Sequence, residues 1–202
     1  MRGNNTLTHV NKIAPLLTTQ LFVAAGSVSK KSEIKIQLLQ TAPSHFAKVA
    51  SWHHEECERQ GLQSTLAVRQ QRLLLHVQEK PLPKTIILSQ GRQLIGCVSL
   101  VNYTYRTDSS VLIPKNSEPV WLSNLFVVEE NRHNGFGNLL IEAAKKYALE
   151  CGAEELWLSA AEYTEYYQKR GWEISRRTRL GGRQVNVMQI HLQPEAALQM
   201  IS

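Results

Sequence analysis

Cysteine is scarce in this chain of 202 residues, and the three present, Cys57, Cys97 and Cys151, are far apart with no Cys-x-x-Cys pair. An odd, scattered set indicates neither a disulfide framework nor a zinc site, and reduced, packed thiols in a cytoplasmic protein are expected, with no metal. No apolar run reaches the roughly 20 residues a membrane helix needs, so no membrane partner is expected. There is no Gly-x-x-x-x-Gly-Lys-Ser/Thr string, which excludes a Walker phosphate loop. Acidic residues are missing from residues 1–32, where Arg2, Lys12, Lys30 and Lys31 supply +4 of the net +6, and the remainder sets 19 basic against 17 acidic residues. A nucleic-acid binder concentrates positive charge on one face of its domain, and this near balance argues against that partner.

What remains describes one ordinary domain. At 43% hydrophobic and 20% charged, the chain is long enough for one sizeable core, assigned to residues 33–195. It shows no internal repeat and no interdomain linker. Residues 1–32 are read as a poorly ordered or loosely docked extension and 196–202 as a tail. The apolar stretch Ile13–Val28, with Ala24-Ala25-Gly26-Ser27 behind it, faintly resembles a signal peptide. The lack of acids would equally suit a mitochondrial presequence.

From residue 33 the apolar periodicity switches between two and 3.6. Glu33–Gln40 alternates as a strand, and Pro43–Arg59 and Ser64–Val77 follow helical spacing. Thr85–Leu88 and Gln93–Tyr105 form strands joined at Gln90-Gly91-Arg92, and 106–118 is a polar loop. Val120–Val128 is the next strand. It leads through Arg132-His133-Asn134-Gly135-Phe136-Gly137 into a helix whose apolar positions are Leu140, Ala143, Ala144, Tyr147 and Ala148. Glu154–Ser159 is a further strand, and Trp172–Thr178 and Gln184–Leu192 flank Gly181-Gly182 as a closing hairpin.

The passage from strand through Arg132-x-x-Gly135-x-Gly137 into a helix is an anion seat. Unpaired N–H groups and the positive helix end face outward, and glycine lets a phosphate oxygen approach the backbone. Gly-x-Gly alone is as often a plain turn. A dinucleotide fingerprint is excluded, since Leu140 stands at its third glycine position.

The segment Leu125–Gly137 resembles the signature of the GCN5-related N-acetyltransferases, in which this seat holds the pyrophosphate of acetyl-coenzyme A. A second motif follows at the expected separation, because Tyr166-Tyr167-Gln168-Lys169-Arg170-Gly171-Trp172 resembles the family's aromatic-Tyr-x-x-x-Gly-aromatic block. The resemblance covers about residues 34–193. It implies an α/β (α+β) fold with a central mixed, mostly antiparallel sheet of six to seven strands and about four helices. The runs Pro81–Leu88, Gly96–Leu100 and Glu118–Leu122 resemble a bacterial-type subgroup whose acceptors are mostly unassigned.

The resemblance also implies roles. Leu125, Phe126 and Val127 would offer backbone groups to the pantetheine arm, and Arg132, His133, Asn134, Gly135, Phe136, Gly137 and Asn138 would cradle the pyrophosphate. Tyr167 would be the general acid, since a phenol of pKa about 10 keeps its proton at neutral pH yet can give it to a departing thiolate. Many family members carry a carboxylate on the strand before the glycine turn. Here that stretch reads Trp121-Leu122-Ser123-Asn124, and Asn124 is the substitute, orienting a water for the amine's proton. Trp52, His53 and Glu56 on the first helix, with Trp121 and Tyr163, are the candidate acceptor contacts. The alternative for the helix is an ordinary exposed polar face. The arginines Arg176, Arg177, Arg179 and Arg183 read as a solvated turn or as a contact for an acidic group.

The reading is thus an acetyl-coenzyme A dependent N-acetyltransferase acting on a primary amine of a small molecule or peptide, as a monomer or homodimer. A catalytically weak module that senses acyl-coenzyme A is the alternative. An interaction module built on the basic turn is the third.

Overall fold

The computed structural model describes residues 33–102 and 119–193. The extension 1–32, the loop 106–118, the end of the strand expected to reach Tyr105 and the tail from 196 lie outside the described residues. The elements run β1 (Ile34–Leu38), α1 (Phe46–Arg59), α2 (Leu66–Leu74), β2 (Lys84–Gln90), β3 (Gln93–Asn102), β4 (Val120–Val127), α3 (Phe136–Glu150), β5 (Glu155–Ala160), α4 (Thr164–Gln168), β6 (Glu173–Leu180) and β7 (Arg183–His191). Short 3-10 turns carry α1 back to Pro43 and α2 on to Val77, which accounts for the longer helices expected from spacing.

One seven-stranded sheet has the order β1-β2-β3-β4-β5-β7-β6. Every neighbouring pair is antiparallel except β4 with β5. Both faces are covered, and β2 is buried along nearly its whole length, as its continuous apolar run requires. On one face α3 lays Leu140, Ile141, Ala144 and Ala148 onto Ile86, Val98 and Leu122. On the other, α1 and α2 pack Val49, Ala50, Trp52 and Leu73 against Ile87 and Cys97.

Two features of the sheet prepare the site. The parallel strands β4 and β5 share only the pairs Val120↔Leu156 and Trp121↔Trp157, and beyond them they part. On its other side β4 carries a bulge, because Cys97 pairs with Phe126 and Ser99 with Ser123, leaving Asn124 and Leu125 opposite Val98 alone. The bulge reverses the alternation of β4. Leu122 and Leu125, three apart, therefore both face the α3 side of the core.

Candidate active site

The open edge of β4 can be read from its closed edge. Val128 N–H donates to the Ile95 carbonyl at 2.9 Å. The Phe126 carbonyl lies so close to Gly96 that a Cβ there would approach it to 2.4 Å. Backbone polar groups alternate along a strand, so those of Leu125 and Val127 turn the opposite way, toward the gap between β4 and β5. Arg132 Nε donates to the Val127 carbonyl at 3.0 Å, which confirms that orientation and ties the guanidinium to the strand end. Phe126 itself packs inward, stacked on Trp52 with ring centroids 4.7 Å apart.

The turn that follows is built for open backbone. His133 has φ +63° and Gly135 φ +81°, and Gly135 caps α3. The first helical bonds come from Asn138 and Leu139, both to the Gly135 carbonyl, which leaves the N–H groups of Phe136 and Gly137 at the free helix end. A Cβ at Gly135 would meet nothing within 4 Å, so the space outside the turn is empty of protein. Phe136 is buried and offers only its backbone. Asn134 bonds the Arg132 carbonyl at 3.2 Å and shapes the turn. An anion with several oxygens fits such a seat, which supplies donors, a positive helix end and no side chain in the way.

The second motif explains its own spacing. Gly171 has φ +81° and follows α4, its N–H bonding the Gln168 carbonyl at 3.0 Å while Trp172 N–H bonds the Tyr167 carbonyl at 3.2 Å. That is a Schellman closure, which requires a left-handed residue four positions after the tyrosine. Trp172 is buried and sets its ring edge-on to Tyr167, with centroids 6.0 Å apart. Burial raises the Tyr167 pKa above its usual value, helped by Tyr166 and the charge of Glu56 and opposed by Arg170. The hydroxyl is therefore a proton donor across the neutral range, and no described residue hydrogen-bonds it.

Arg170, overlooked in the sequence, joins the two motifs. It donates from Nε to Asn138 Oδ1 at 2.8 Å and from Nη1 to the Tyr166 carbonyl at 2.7 Å, and it stacks 3.6 Å from the Tyr166 ring centroid. Asn138 is thereby engaged as an acceptor inside the protein. The Tyr166 hydroxyl would lie 3.0 Å from a Cβ at Gly137, so α4 leans directly on the glycine turn.

A family model described as the Acetyltransferase (GNAT) family matches residues 46–172. The chain belongs to the GNAT acetyltransferase family. Among solved structures it resembles a GNAT acetyltransferase from Streptococcus pneumoniae, with TM-score 0.58 and 17% identity over 80% of this chain and 100% of that one. It also resembles a spermidine/spermine N-acetyltransferase from Vibrio cholerae, with TM-score 0.55 and 14% identity over 79% and 95%. A third is N-acetylglutamate synthase from Neisseria gonorrhoeae, solved with coenzyme A and N-acetyl-glutamate, with TM-score 0.57 and 18% identity over 82% of this chain and 36% of that longer one. At such identities the likeness is one of fold. No curated protein sequence matches. As a GNAT member the chain is an acyltransferase of the 2.3.1 class, in a family that uses acetyl-coenzyme A. Among the described residues, no cluster of three or more His, Cys, Asp or Glu could hold a metal, and no helix is long and apolar enough to cross a membrane.

The residues expected to contact an acceptor fall into two groups. Trp52 (3% exposed), His53 (5%) and Trp121 (3%) are core residues, whereas Tyr163 is 68% exposed at φ +61° on the rim. The helix is thus neither a wholly exposed polar face nor an acceptor surface along its length. His53 turns toward Cys97, and burial, with the charges of His76 and Arg69, lowers its pKa to about 3. Glu56 alone of the helix set stands half-buried toward Tyr167. Burial would raise its pKa, but hydrogen bonds from Arg59 and Gln60 and the charges of Arg59 and Arg132 outweigh it and leave the pKa below the usual carboxylate value. Arg59 grips Glu56 through both oxygens, at 2.9 and 2.8 Å, and reaches Glu162 at 3.2 Å. Arg183 meets the same Glu162 at 3.5 Å, and a Cβ at Gly181 would touch Leu62 at 2.6 Å. The basic hairpin turn therefore touches the loop after α1, while Arg177, Arg179 and Arg183 stay exposed to solvent.

Proposed function

We propose that this protein transfers an acetyl group from acetyl-coenzyme A to a primary amine of a small molecule or peptide, by direct attack. The observation that carries the reading is the parting of β4 and β5 beyond Trp121 and Trp157, with the glycine turn at one end of the gap and Tyr167 beside it. Leu125 and Val127 offer N–H donors to the pantetheine arm and thioester carbonyl, and the turn from Arg132 to Gly137 receives the pyrophosphate, which fixes the thioester in place. The amine nitrogen forms a bond to the acetyl carbon and the carbon–sulfur bond breaks. Tyr167 gives its proton to the departing sulfur, and the proton shed by the amine leaves through water oriented by Asn124. Glu56, held ionised but with both oxygens engaged, attracts the cationic amine without serving as its base. Use of acetyl-coenzyme A supports a cytoplasmic site for the reaction.

That lack of a free carboxylate favours one second reading, a weakly catalytic sensor of acyl-coenzyme A. Calorimetry with acetyl-coenzyme A on the native protein, Gly135→Glu and Gly135→Asn, followed by thiol release across polyamines, aminoglycosides and peptide N-termini, separates the two. Asn tolerates the left-handed backbone, so it controls for strain while Glu sets a negative charge in the seat. The transferase reading expects native and Asn variant to bind, the Glu variant to lose affinity by more than about tenfold, and one amine class to release thiol. Binding without turnover on any amine establishes the sensor, and absence of binding by the native protein removes both.

A further inference from the structure

The bulge in β4 is held from outside its own strand. Asn124 has φ +51°, a backbone conformation that asparagine visits more readily than most residues but that still needs its surroundings to impose it. Its carbonyl accepts from Cys97 Sγ on β3 at 3.7 Å, and the same sulfur lies 3.9 Å from His53 Nε2 of α1. Cys97 is fully buried and His53 nearly so. Burial keeps both groups uncharged, holding the thiol proton in place, so a neutral chain runs from imidazole through thiol to the bulge carbonyl. The residue after that carbonyl is Leu125, whose N–H belongs to the same peptide unit. Fixing the Asn124 carbonyl therefore fixes the direction of the first donor that faces the gap.

We propose that Cys97 is a positioning residue for acyl transfer, its thiol, backed by His53, holding the Asn124–Leu125 peptide so that the Leu125 N–H is aimed at the acyl carbonyl. The proposal rests on the coenzyme reading of the gap. A cysteine that only fills volume would act as a small hydrophobe and influence every ligand equally through stability. A positioning cysteine distinguishes ligands with an acyl carbonyl from those without.

Cys97→Ala and Cys97→Val are compared with the native protein by calorimetry with acetyl-coenzyme A and with free coenzyme A, and by kcat and KM for each substrate. Coenzyme A affinity is expected to change by less than about twofold, the preference for acetyl-coenzyme A over coenzyme A to disappear, and kcat to fall about tenfold or more, as when a carbonyl donor is misaimed. A folded variant with unchanged kcat and preference overturns the proposal, as does a fall in kcat that merely follows coenzyme A affinity. If both variants fail to fold, the infrared S–H band of Cys57→Ala/Cys151→Ala, in which Cys97 is the one thiol left, decides. A band lowered by hydrogen bonding that moves with acetyl-coenzyme A but not with coenzyme A supports the role, and a band at the free-thiol position overturns it. A native protein that binds coenzyme A, while these readouts fail, leaves the coenzyme reading standing without Cys97. One that binds neither ligand overturns the reading itself.

Discussion

On the function proposed above, the two halves of the cleft are made of different materials. The coenzyme half is backbone: the open edge of β4, two left-handed residues at the turn, and the free end of α3. The acceptor half we propose to be side chains from three separate segments joined by ion pairs, Glu56 and Arg59 from α1, Glu162 from the loop after β5 and Arg183 from the closing hairpin. A phosphate-bearing arm is recognised by N–H groups that every residue owns, so the local chain path is enough. An acceptor must be told apart from other amines, and that takes particular side chains brought together by the whole fold.

The sharpest test of this division falls on the residue where the halves meet. Tyr167 contacts the coenzyme half through Tyr166 and Trp172 and feels the charge of Glu56 from the acceptor half. Tyr167→Phe keeps the ring and its packing and removes only the hydroxyl. Turnover is expected to fall about 10²-fold or more with coenzyme affinity unchanged, measured by single-turnover thiol release and calorimetry. Because the Tyr167 pKa is raised, the basic limb of the native kcat profile should lie above the ordinary phenol range. Unchanged turnover in the Phe variant would assign proton delivery to solvent.

The next effect in size concerns two buried histidines, His53 on α1 and His76 in the turn after α2. Burial lowers the pKa of His53 to about 3 and that of His76 to about 4. Both folded values lie below the unfolded one, so as pH falls from about 6.5 the unfolded chain takes up protons that the folded chain refuses. The stability is present above that pH and is lost on the way down toward 4. Each histidine should cost about 1–2 kcal/mol by pH 5. Urea midpoints between pH 7.5 and 5 would show a steep decline that is shallower in His53→Gln. Equal slopes in the two proteins would mean that His53 is solvated, and the helix would then be the open acceptor face the sequence allowed.

How much was legible follows the same division. The turn at Gly135 and the Tyr167–Gly171 closure are written in contiguous residues whose spacing is fixed by helix geometry, and strand and helix order came through because both faces of the sheet are buried. The bulge could not be read, because Val120-Trp121-Leu122 and Leu125-Phe126-Val127 are apolar without alternation and leave no phase to slip. His53 and Glu56 looked alike on paper. They stand only about 60° apart around α1, yet one is turned inward to Cys97 and the other is held by Arg59 and Gln60. For the network of Arg59, Glu162 and Arg183 the sequence marked only Arg183, as part of a basic turn, and not its partners. The paired residues stand 103 and 21 positions apart, and each alone is an ordinary surface charge.

That network gives the smallest expected effect and the most specific one. The side chains of Arg59, Glu162 and Arg183 are 51%, 42% and 45% exposed, so solvent screens them and each exposed pair contributes under about 1 kcal/mol to stability. Arg183→Ala should leave the thermal midpoint almost unmoved and coenzyme affinity intact, yet raise the KM for the amine several-fold, because the hairpin turn loses its anchor to Glu162. Glu162→Gln, which loses the contact to Arg59 as well, should do at least as much, and the double variant no more than Glu162→Gln alone, since both remove the Arg183–Glu162 contact. Arg59→Ala should differ in kind. Without its bidentate partner Glu56 keeps only the hydrogen bond from Gln60, its pKa rises, and one carboxylate oxygen becomes available as a proton acceptor. The acid limb of the kcat profile should then move upward in pH, a shift that neither Arg183→Ala nor Glu162→Gln produces. Amine saturation curves and pH profiles on the four variants check this, and a fall in coenzyme affinity matching the rise in amine KM would show that the two halves are one.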